Sequence, residues 1–201
     1  MSKALVLLAE GAEEMEAVIA ADVLRRAGVE VTIAAIGTVR EVTASRGVRL
    51  VADVLLAEVR PVDYDALVLP GGAGGAKRLA SDGRVLEIVR QFVAAQKTVA
   101  AVCAGPLVLQ AAGVLSGVRA TCHPGVREQF AGKTEERKDG RAETATGPRV
   151  CDDRVVEDGV FITSQGPGTS MEFALAIARR LVDEATARKV AEGLILPRGV
   201  A

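Results

Sequence analysis

Short apolar runs alternate along this chain with longer segments in which apolar residues recur every three or four positions. The run ALVLLA at 4–9 precedes a segment of helical period that ends at Gly28, and the β-branched run VEVTIAAIG follows directly. The short runs predict buried strands and the periodic segment predicts an amphipathic helix. The first part of the chain is therefore predicted to be a βαβ unit with parallel strands and a right-handed crossover.

The same order recurs further along the chain. After a hairpin-like stretch at about 41–52, the runs YDALVLPGG and TVAAVC each precede a helical segment, and VRATCHPGVREQFAG is predicted to repeat the pattern. Alternating strands and helices predict an α/β fold in which helices cover both faces of a mostly parallel sheet. We expect a single domain over residues 1–201, a length that buries a sizeable core.

The last third of the chain contains two further signals. Strand-like sequence resumes at RVVEDGVFITSQGPG, and the final strong helix begins near Thr169, three residues before Glu172. That spacing predicts a capping box at the helix start. The segment from Lys133 to Pro148 is polar and rich in turn-forming residues, which predicts a surface loop.

Composition narrows the classes of function. Apolar residues form 49% of the chain and aromatic residues 2%, so the core is predicted to consist of Ala, Val, Leu and Ile. The formal net charge is −1, and there is neither a basic arm nor a set of aromatic residues for base stacking. Nucleic acid is therefore not expected as a main partner.

The apolar runs and the cysteines bear on the compartment. No run reaches the roughly 20 apolar residues of a membrane-spanning helix, and the acidic start of the chain does not have the pattern of a signal peptide. Cys103, Cys122 and Cys151 are odd in number and lack C-x-x-C spacing, and His123 is the one histidine. We therefore expect a cytoplasmic, reducing environment, no disulfide framework and no metal site.

Cys103 lies where a predicted strand meets a predicted helix, in the sequence TVAAVCAGPLVLQ. Ala101 and Gly105 are small residues placed two before and two after it, the spacing of a nucleophile elbow. N–H groups at the start of a helix favour a thiolate, so this position suits a reactive cysteine of lowered pKa. The alternative is that Cys103 is only a small buried apolar residue.

Three more features fall at the same predicted edge of the sheet, where the carboxyl ends of parallel strands meet. His123 is a candidate base, or alternatively a turn histidine that caps a helix. Glu16 is a candidate proton carrier beside the thiol, or alternatively a solvated residue of a helix N-terminus, like Glu13 and Glu14. The glycine loop at 69–78 offers backbone donors for an oxyanion and lacks the spacing of a dinucleotide-binding loop or P-loop.

Taken together, these residues resemble the ThiJ/PfpI superfamily and, within it, the DJ-one subfamily of Parkinson-disease protein deglycases and their bacterial relatives. The resemblance covers nearly the whole chain: the segments AEGAEEMEAVIAADVLRRAG, YDALVLPGG, VAAVCAGP and TSQGPGTSMEFALAIARRLV occur in that order, with HPG matching in part. It implies a flavodoxin-like α/β sandwich that forms a homodimer and needs no cofactor or metal. The segment 133–148 is longer than in that subfamily, so it is either a flap over the site or a lengthened distant loop.

The resemblance also implies roles for individual residues. Cys103 matches the nucleophile, Glu16 the protonated glutamate beside it, and His123 the nearby histidine. Gly72 and Ala104 match the backbone donors of the oxyanion hole. Arg46 and Arg154 match arginines at the dimer-side rim of the pocket.

The function implied is that of a cofactor-free cysteine enzyme that detoxifies reactive aldehydes. It would be a glutathione-independent glyoxalase of type III, a lyase of the D-lactate dehydratase type that converts methylglyoxal to lactate, or a hydrolase that removes early glycation adducts from protein side chains. Two rival interpretations remain: an oxidative-stress sensor or chaperone that uses oxidation of Cys103, and a cysteine peptidase.

Overall fold

The computed structural model describes residues 1–131 and 147–197. Its strands are β1 (Lys3–Leu8), β2 (Glu30–Ala35), β3 (Glu41–Thr43), β4 (Arg49–Val51), β5 (Val54–Leu55), β6 (Ala66–Leu69), β7 (Thr98–Val102), β8 (Arg119–Ala120), β9 (Arg149–Val150), β10 (Val155–Asp158) and β11 (Phe161–Ser164). Its α-helices are α1 (Glu14–Arg26), α2 (Ala73–Ser81), α3 (Gly83–Ala94), α4 (Pro106–Ala111), α5 (Arg127–Ala131), α6 (Ser170–Leu181) and α7 (Glu184–Gly193).

Seven strands form the main sheet in the order β10-β11-β7-β6-β1-β2-β5. All neighbours pair in parallel except β10, which is antiparallel to β11 at one edge. The inner order β2-β1-β6-β7-β11 is that of flavodoxin-like folds. The predicted α/β class, with a mostly parallel sheet, is therefore confirmed. The extension of one domain over residues 1–201 stays a prediction.

Helices cover both faces of this sheet. Successive strand residues point to opposite faces, so Val6 and Val68 pack with α1, α6 and α7, whereas Leu5 and Leu67 pack with α2, α3 and α4. Strands buried on both faces read as continuous apolar runs, which is why ALVLLA showed no alternation. The largest buried side chains are divided in the same way, with Phe173 on the first face and Phe92 on the second.

Two sequence-based predictions in the first half of the chain, the end of the first helix at Gly28 and the hairpin at 41–52, are confirmed. Gly28 follows α1 with a φ of +80°, and its N–H bonds to Arg25 O while that of Val29 bonds to Leu24 O. This 6→1 and 5→2 pattern closes the helix, and glycine suits the left-handed residue that it requires. The predicted hairpin is formed by β3 and β4, which pair in antiparallel register.

Two predictions in the second half were wrong. The segment VRATC adds no strand to the main sheet, because β8 has two residues and pairs in parallel with β9 instead. Thr169 is the N-cap residue of α6, but it forms no capping box. Its hydroxyl group bonds within the preceding turn, and the carboxylate of Glu172 pairs with Arg154.

The sheet order brings several loops to one edge. Strands β1, β6 and β7 are neighbours, so the segments that follow them meet at their carboxyl ends. In residues 1–131 and 147–197, no helix combines the length and the apolar character that a membrane crossing requires. The predicted surface loop at 133–148 falls, up to residue 146, outside the described residues.

Candidate active site

Cys103 occupies a strained turn between β7 and α4. Its φ is +63°, in the left-handed region that residues other than glycine seldom adopt and that costs on the order of 1–3 kcal/mol. Two backbone hydrogen bonds hold it there: its N–H donates to Ser164 O at 2.9 Å, and its carbonyl accepts the N–H of His123 at 2.9 Å. The neighbouring loops therefore impose the elbow that the spacing around Cys103 predicts.

The small residue at 105 is explained by close backbone contact. A Cβ on Gly105 would lie 2.4 Å from Leu69 O and 2.8 Å from Val102 O. Pro106 follows as the first residue of α4, where its missing N–H costs nothing. The elbow thus packs against β6, and any side chain at position 105 would push it away.

Of the three glutamates at the start of α1, Glu16 is the most deeply buried. The hydroxyl of Ser45 lies within hydrogen-bond distance of both Glu13 and Glu14, which places these two side chains beside the β3–β4 hairpin. Glu16 is 1% exposed, and its Oε2 accepts the N–H of Gly71 at 2.6 Å. The interpretation of Glu16 as a solvated residue of the helix N-terminus was wrong.

The carboxyl of Glu16 lies beside the thiol of Cys103, and each of the two groups affects the pKa of the other. Its Oε1 is buried and has no hydrogen-bond partner among the described residues. Burial raises the pKa of Glu16 to about 7, although the Gly71 hydrogen bond opposes this rise. A carboxyl of this kind takes up and releases protons near neutral pH.

Two consecutive glycines let the β6–α2 loop reach this pair. A Cβ on Gly71 would lie 2.6 Å from Cys103 Cβ and 2.9 Å from Glu16 Oε2. Gly72 has a φ of +81°, and a Cβ there would lie 2.4 Å from Gly11 O. The N–H groups of Gly72 and Ala104 act on the sulfur of Cys103 and oppose the rise of its pKa. Two backbone donors thus converge on the atom where an adduct would form.

The pKa of Cys103 departs from the sequence-based expectation. Burial, and then the negative charge of Glu16, raise the pKa of this thiol to about 12, whereas the position at a helix start led us to expect a lowered pKa. The effect of Glu16 depends on its ionisation, because a protonated carboxyl carries no charge and can donate to sulfur. The protonation state of Glu16 therefore affects the pKa of Cys103, and the reverse also holds.

His123 is linked to Cys103 through the backbone rather than through its ring. The imidazole is exposed, and its Nδ1 accepts the N–H of Gly125 at 3.0 Å. An Nδ1 that accepts carries no hydrogen, so the neutral ring has its hydrogen on Nε2. Among the described residues, neither Cys103 nor any carboxylate hydrogen bonds to this ring. The capping interpretation is confirmed, and the geometry of a peptidase triad is not present in those residues.

The two arginines bond away from the sulfur. Arg46 is exposed; its backbone N–H donates to Glu14, and its guanidinium reaches the carbonyl of Ser45. Arg154 pairs with Glu172 of α6 and donates to Gly168 O at 2.8 Å. Their place at the rim of a dimer pocket stays a prediction.

Sequence reasoning missed two contributors to the site. Gly71 donates its N–H to Glu16, and only the doubled glycine in the sequence hinted at it. The buried hydroxyl of Thr169 lies 2.6 Å from that of Ser164, whose carbonyl holds the elbow. No motif signals this contact, because it joins a strand end to a turn that only the tertiary structure defines.

The chain has two cysteines besides Cys103. All three cysteines are free; Cys122 is buried and Cys151 is partly exposed. Burial raises the pKa of Cys122 to about 11, and its side chain has no exposed surface at which a substrate could reach it. Within the part of the chain that the structure describes, no group of three or more His, Cys, Asp or Glu side chains could hold a metal ion.

Comparison with known proteins identifies the relatives of this arrangement. Residues 2–180 match the model of the DJ-1/PfpI family. Protein dj-1beta of Drosophila melanogaster is 42% identical over 197 residues, which cover 98% of each chain. Its crystal structure superposes with a TM-score of 0.87 and covers 98% of this chain and 100% of that one.

Two further relatives bear on chemistry. The protein named glutathione-independent glyoxalase DJR-1.2 of Caenorhabditis elegans is 38% identical over 179 residues, which cover 89% of this chain and 88% of that protein. A structure described as oxidized DJ-1 of Toxoplasma gondii is 36% identical, has a TM-score of 0.84, and covers 98% of this chain and 99% of that one.

Proposed function

The chain belongs to the DJ-1/PfpI family, and from this premise we propose that it is a glutathione-independent glyoxalase that converts 2-oxoaldehydes such as methylglyoxal to 2-hydroxy acids such as lactate. The observation that carries the proposal is the placement of the buried carboxyl of Glu16 beside the thiol of Cys103 on its strained elbow. The name of the Caenorhabditis elegans relative supports the same activity.

The first step is the addition of sulfur to the aldehyde carbon. Glu16, whose pKa is raised to about 7, accepts the thiol proton of Cys103 as the S–C bond forms and the carbonyl π bond breaks. The N–H groups of Gly72 and Ala104 stabilise the alkoxide, which then takes the proton from Glu16. The product is a hemithioacetal, and Glu16 is ionised again.

The second step is an internal oxidation and reduction. Glu16 removes the proton from the former aldehyde carbon and returns it to the neighbouring ketone carbon through an enediol, while the hydroxyl proton moves to the ketone oxygen. The aldehyde carbon is oxidised to a thioester and the ketone carbon is reduced to an alcohol, so no external oxidant is consumed. Water then cleaves the C–S bond, which releases lactate and restores the thiol of Cys103.

The test is lactate release from methylglyoxal by purified variants. We expect Cys103→Ala to abolish release and Cys151→Ser, a change of a partly exposed thiol outside the site, to leave it unchanged. Glu16→Gln should lower kcat at least about 100-fold, because it removes the proton carrier, while iodoacetamide still alkylates Cys103. Turnover by Cys103→Ala at the wild-type rate would rule out the proposal.

A second candidate function is the sensing of oxidants. Cys103 is partly exposed, and a protonated Glu16 could donate a hydrogen bond to a sulfinate at that position. The description of the Toxoplasma gondii relative as oxidized supports this alternative. Mass spectrometry after mild peroxide treatment tests it: oxidation of Cys122 or Cys151 with Cys103 still a thiol would contradict a sensor role. The chaperone and protein deglycase activities stay predictions.

The expected homodimer also stays a proposal, with one surface to support it. Met15 and Val18 are exposed on one side of α1, and the β3–β4 hairpin, which contacts the start of that helix, exposes Val48 and Val51. Apolar side chains grouped on a surface favour association. Sedimentation equilibrium of the wild type and of Val51→Arg tests this: a dimer that the arginine leaves intact would place the interface elsewhere.

A further inference from the structure

A groove opens beside the candidate active site, between α2, α4 and the turn before α5. It has a volume of about 570 Å³. Its walls are mostly small or apolar side chains: Ala73, Ala76, Ala80, Ala104, Leu107 and Ala111. We call it the α2–α4 groove. Its size lies within the range of pockets that hold small organic ligands, roughly 300–1,000 Å³.

One end of the groove lies next to the candidate active site. Ala73 and Ala104 line it, and they directly follow Gly72 and Cys103 in the chain. Helices α2 and α4 both start at this point and flank the groove. A substrate whose carbonyl oxygen lies at the N–H groups of Gly72 and Ala104 would therefore have the α2–α4 groove next to its remaining atoms.

Two of the four polar side chains that line the groove, Ser81 and Gln110, donate hydrogen bonds within the protein. Ser81 donates its hydroxyl hydrogen to Lys77 O at 2.8 Å, and the amide of Gln110 donates to Phe130 O at 2.9 Å. An apolar group that covered them would leave neither donor without a partner, so its burial would carry a small desolvation cost. Lys77 and Gln129 also line the groove, and both are exposed, so their polar ends can remain in water beside an apolar occupant. The groove is therefore compatible with an apolar occupant.

We propose that the α2–α4 groove binds an apolar substituent on the ketone carbon of 2-oxoaldehydes larger than methylglyoxal. This specificity rests on the proposed glyoxalase function. Methylglyoxal carries a single methyl group at this position and leaves most of the groove empty. An aryl or longer alkyl group fills it, so the enzyme prefers these substrates because of the added apolar contact.

The experiment compares phenylglyoxal with methylglyoxal. The measured quantity is the ratio of their kcat/KM values in wild type, Ala80→Leu and Ala111→Leu. Both changes place a larger side chain in the groove from partly exposed or exposed positions, so the fold should tolerate them. We expect the ratio to favour phenylglyoxal in the wild type and to fall about tenfold in each variant. Ala185→Leu, on the exposed side of α7, is the matched control and should leave the ratio and the activity unchanged.

A second measurement tests the groove proposal even if neither aldehyde is turned over. Iodoacetamide and N-benzyl-iodoacetamide alkylate the same thiol but differ in one apolar ring, and peptide mapping reports the modification of Cys103 alone. We expect the benzyl reagent to lose rate relative to iodoacetamide in Ala80→Leu. If the benzyl reagent loses rate in Ala80→Leu but no aldehyde is turned over, the glyoxalase proposal is wrong and the groove proposal is supported. An unchanged alkylation ratio and an unchanged kcat/KM ratio would overturn the groove proposal.

Discussion

The carbonyl oxygen of Ser164 accepts the N–H of Cys103 at 2.9 Å, so the end of β11 holds the strained elbow in place. Ser164 is itself fixed by its hydroxyl, which donates to Arg154 O at 2.8 Å and lies 2.6 Å from Thr169 Oγ1. That oxygen also accepts the N–H of Gly166. A small buried hydrogen-bond network, remote from the thiol itself, therefore positions the nucleophile.

Replacing Thr169 by valine should weaken both the fold and the site. Valine has nearly the same shape but lacks the hydroxyl, so the buried N–H of Gly166 loses its partner, at a cost of about 1–3 kcal/mol in the free energy of unfolding. Urea denaturation measures this loss. Because Ser164 then holds the elbow less firmly, kcat for methylglyoxal should fall as well.

Thr169→Ser is the matched control, since it keeps the hydroxyl and removes a methyl group. We expect it to retain most of the stability and nearly all of the activity. Equal losses in the serine and valine variants would show that packing of the methyl group, rather than the network, matters at this position.

His123 should prove to be a positioning residue rather than a proton carrier. Its Nδ1 accepts the N–H of Gly125, and asparagine can provide an acceptor for the same cap. We expect His123→Asn to lower kcat less than tenfold, well short of the roughly 100-fold or greater loss that follows removal of a general acid or base. Steady-state kinetics across pH checks this. A loss as large as that of Glu16→Gln would assign proton transfer to the ring.

Position 105 should tolerate no side chain. A Cβ there would lie 2.4 Å from Leu69 O, which is backbone and cannot move aside, so Gly105→Ala should cost at least about 2 kcal/mol of unfolding free energy. Gly83→Ala is the comparison, because a Cβ on Gly83 meets nothing within 4 Å. It should leave stability unchanged or raise it by up to about 1 kcal/mol. Similar effects of the two changes would contradict the close packing of the elbow.

The sequence predicted those features that depend on neighbouring residues. Strand and helix periods gave the α/β class, and small residues around Cys103 at a strand end gave the elbow. The capping box at Thr169 failed although its spacing was right, because Ser164 and Gly166 take up its hydroxyl and Arg154 pairs with Glu172.

Features that depend on long-range contact could not be predicted from residue patterns. Gly71 lies 55 positions from Glu16, and nothing near either residue indicates that its N–H is the donor. The same holds for the pKa of Cys103, since burial and the Glu16 charge outweigh the helix start that the local sequence reveals. The resemblance to a known family identified Glu16 as a partner, but not the donor that fixes it.

Stability should depend on pH through Glu16. Burial raises the pKa of this carboxyl from 4.5 to about 7 in the folded protein, so the native state binds more protons than the unfolded state between these values. The contribution of Glu16 to the free energy of unfolding is therefore fully present below pH 4.5. It decreases as pH rises to about 7, by on the order of 3 kcal/mol. Glu16→Gln removes the titration and keeps the shape of the side chain.

The measurement is urea denaturation of the wild type and Glu16→Gln at a series of pH values from 4.5 to 8. Other carboxyl groups titrate alike in both proteins and cancel in the difference between the two unfolding free energies. That difference should shift in favour of the glutamine variant as pH rises, and it should level off above pH 7 because Glu16 is then ionised in both states. A difference that stays constant across this range would mean that the carboxyl ionises normally and is not poised to exchange a proton with Cys103.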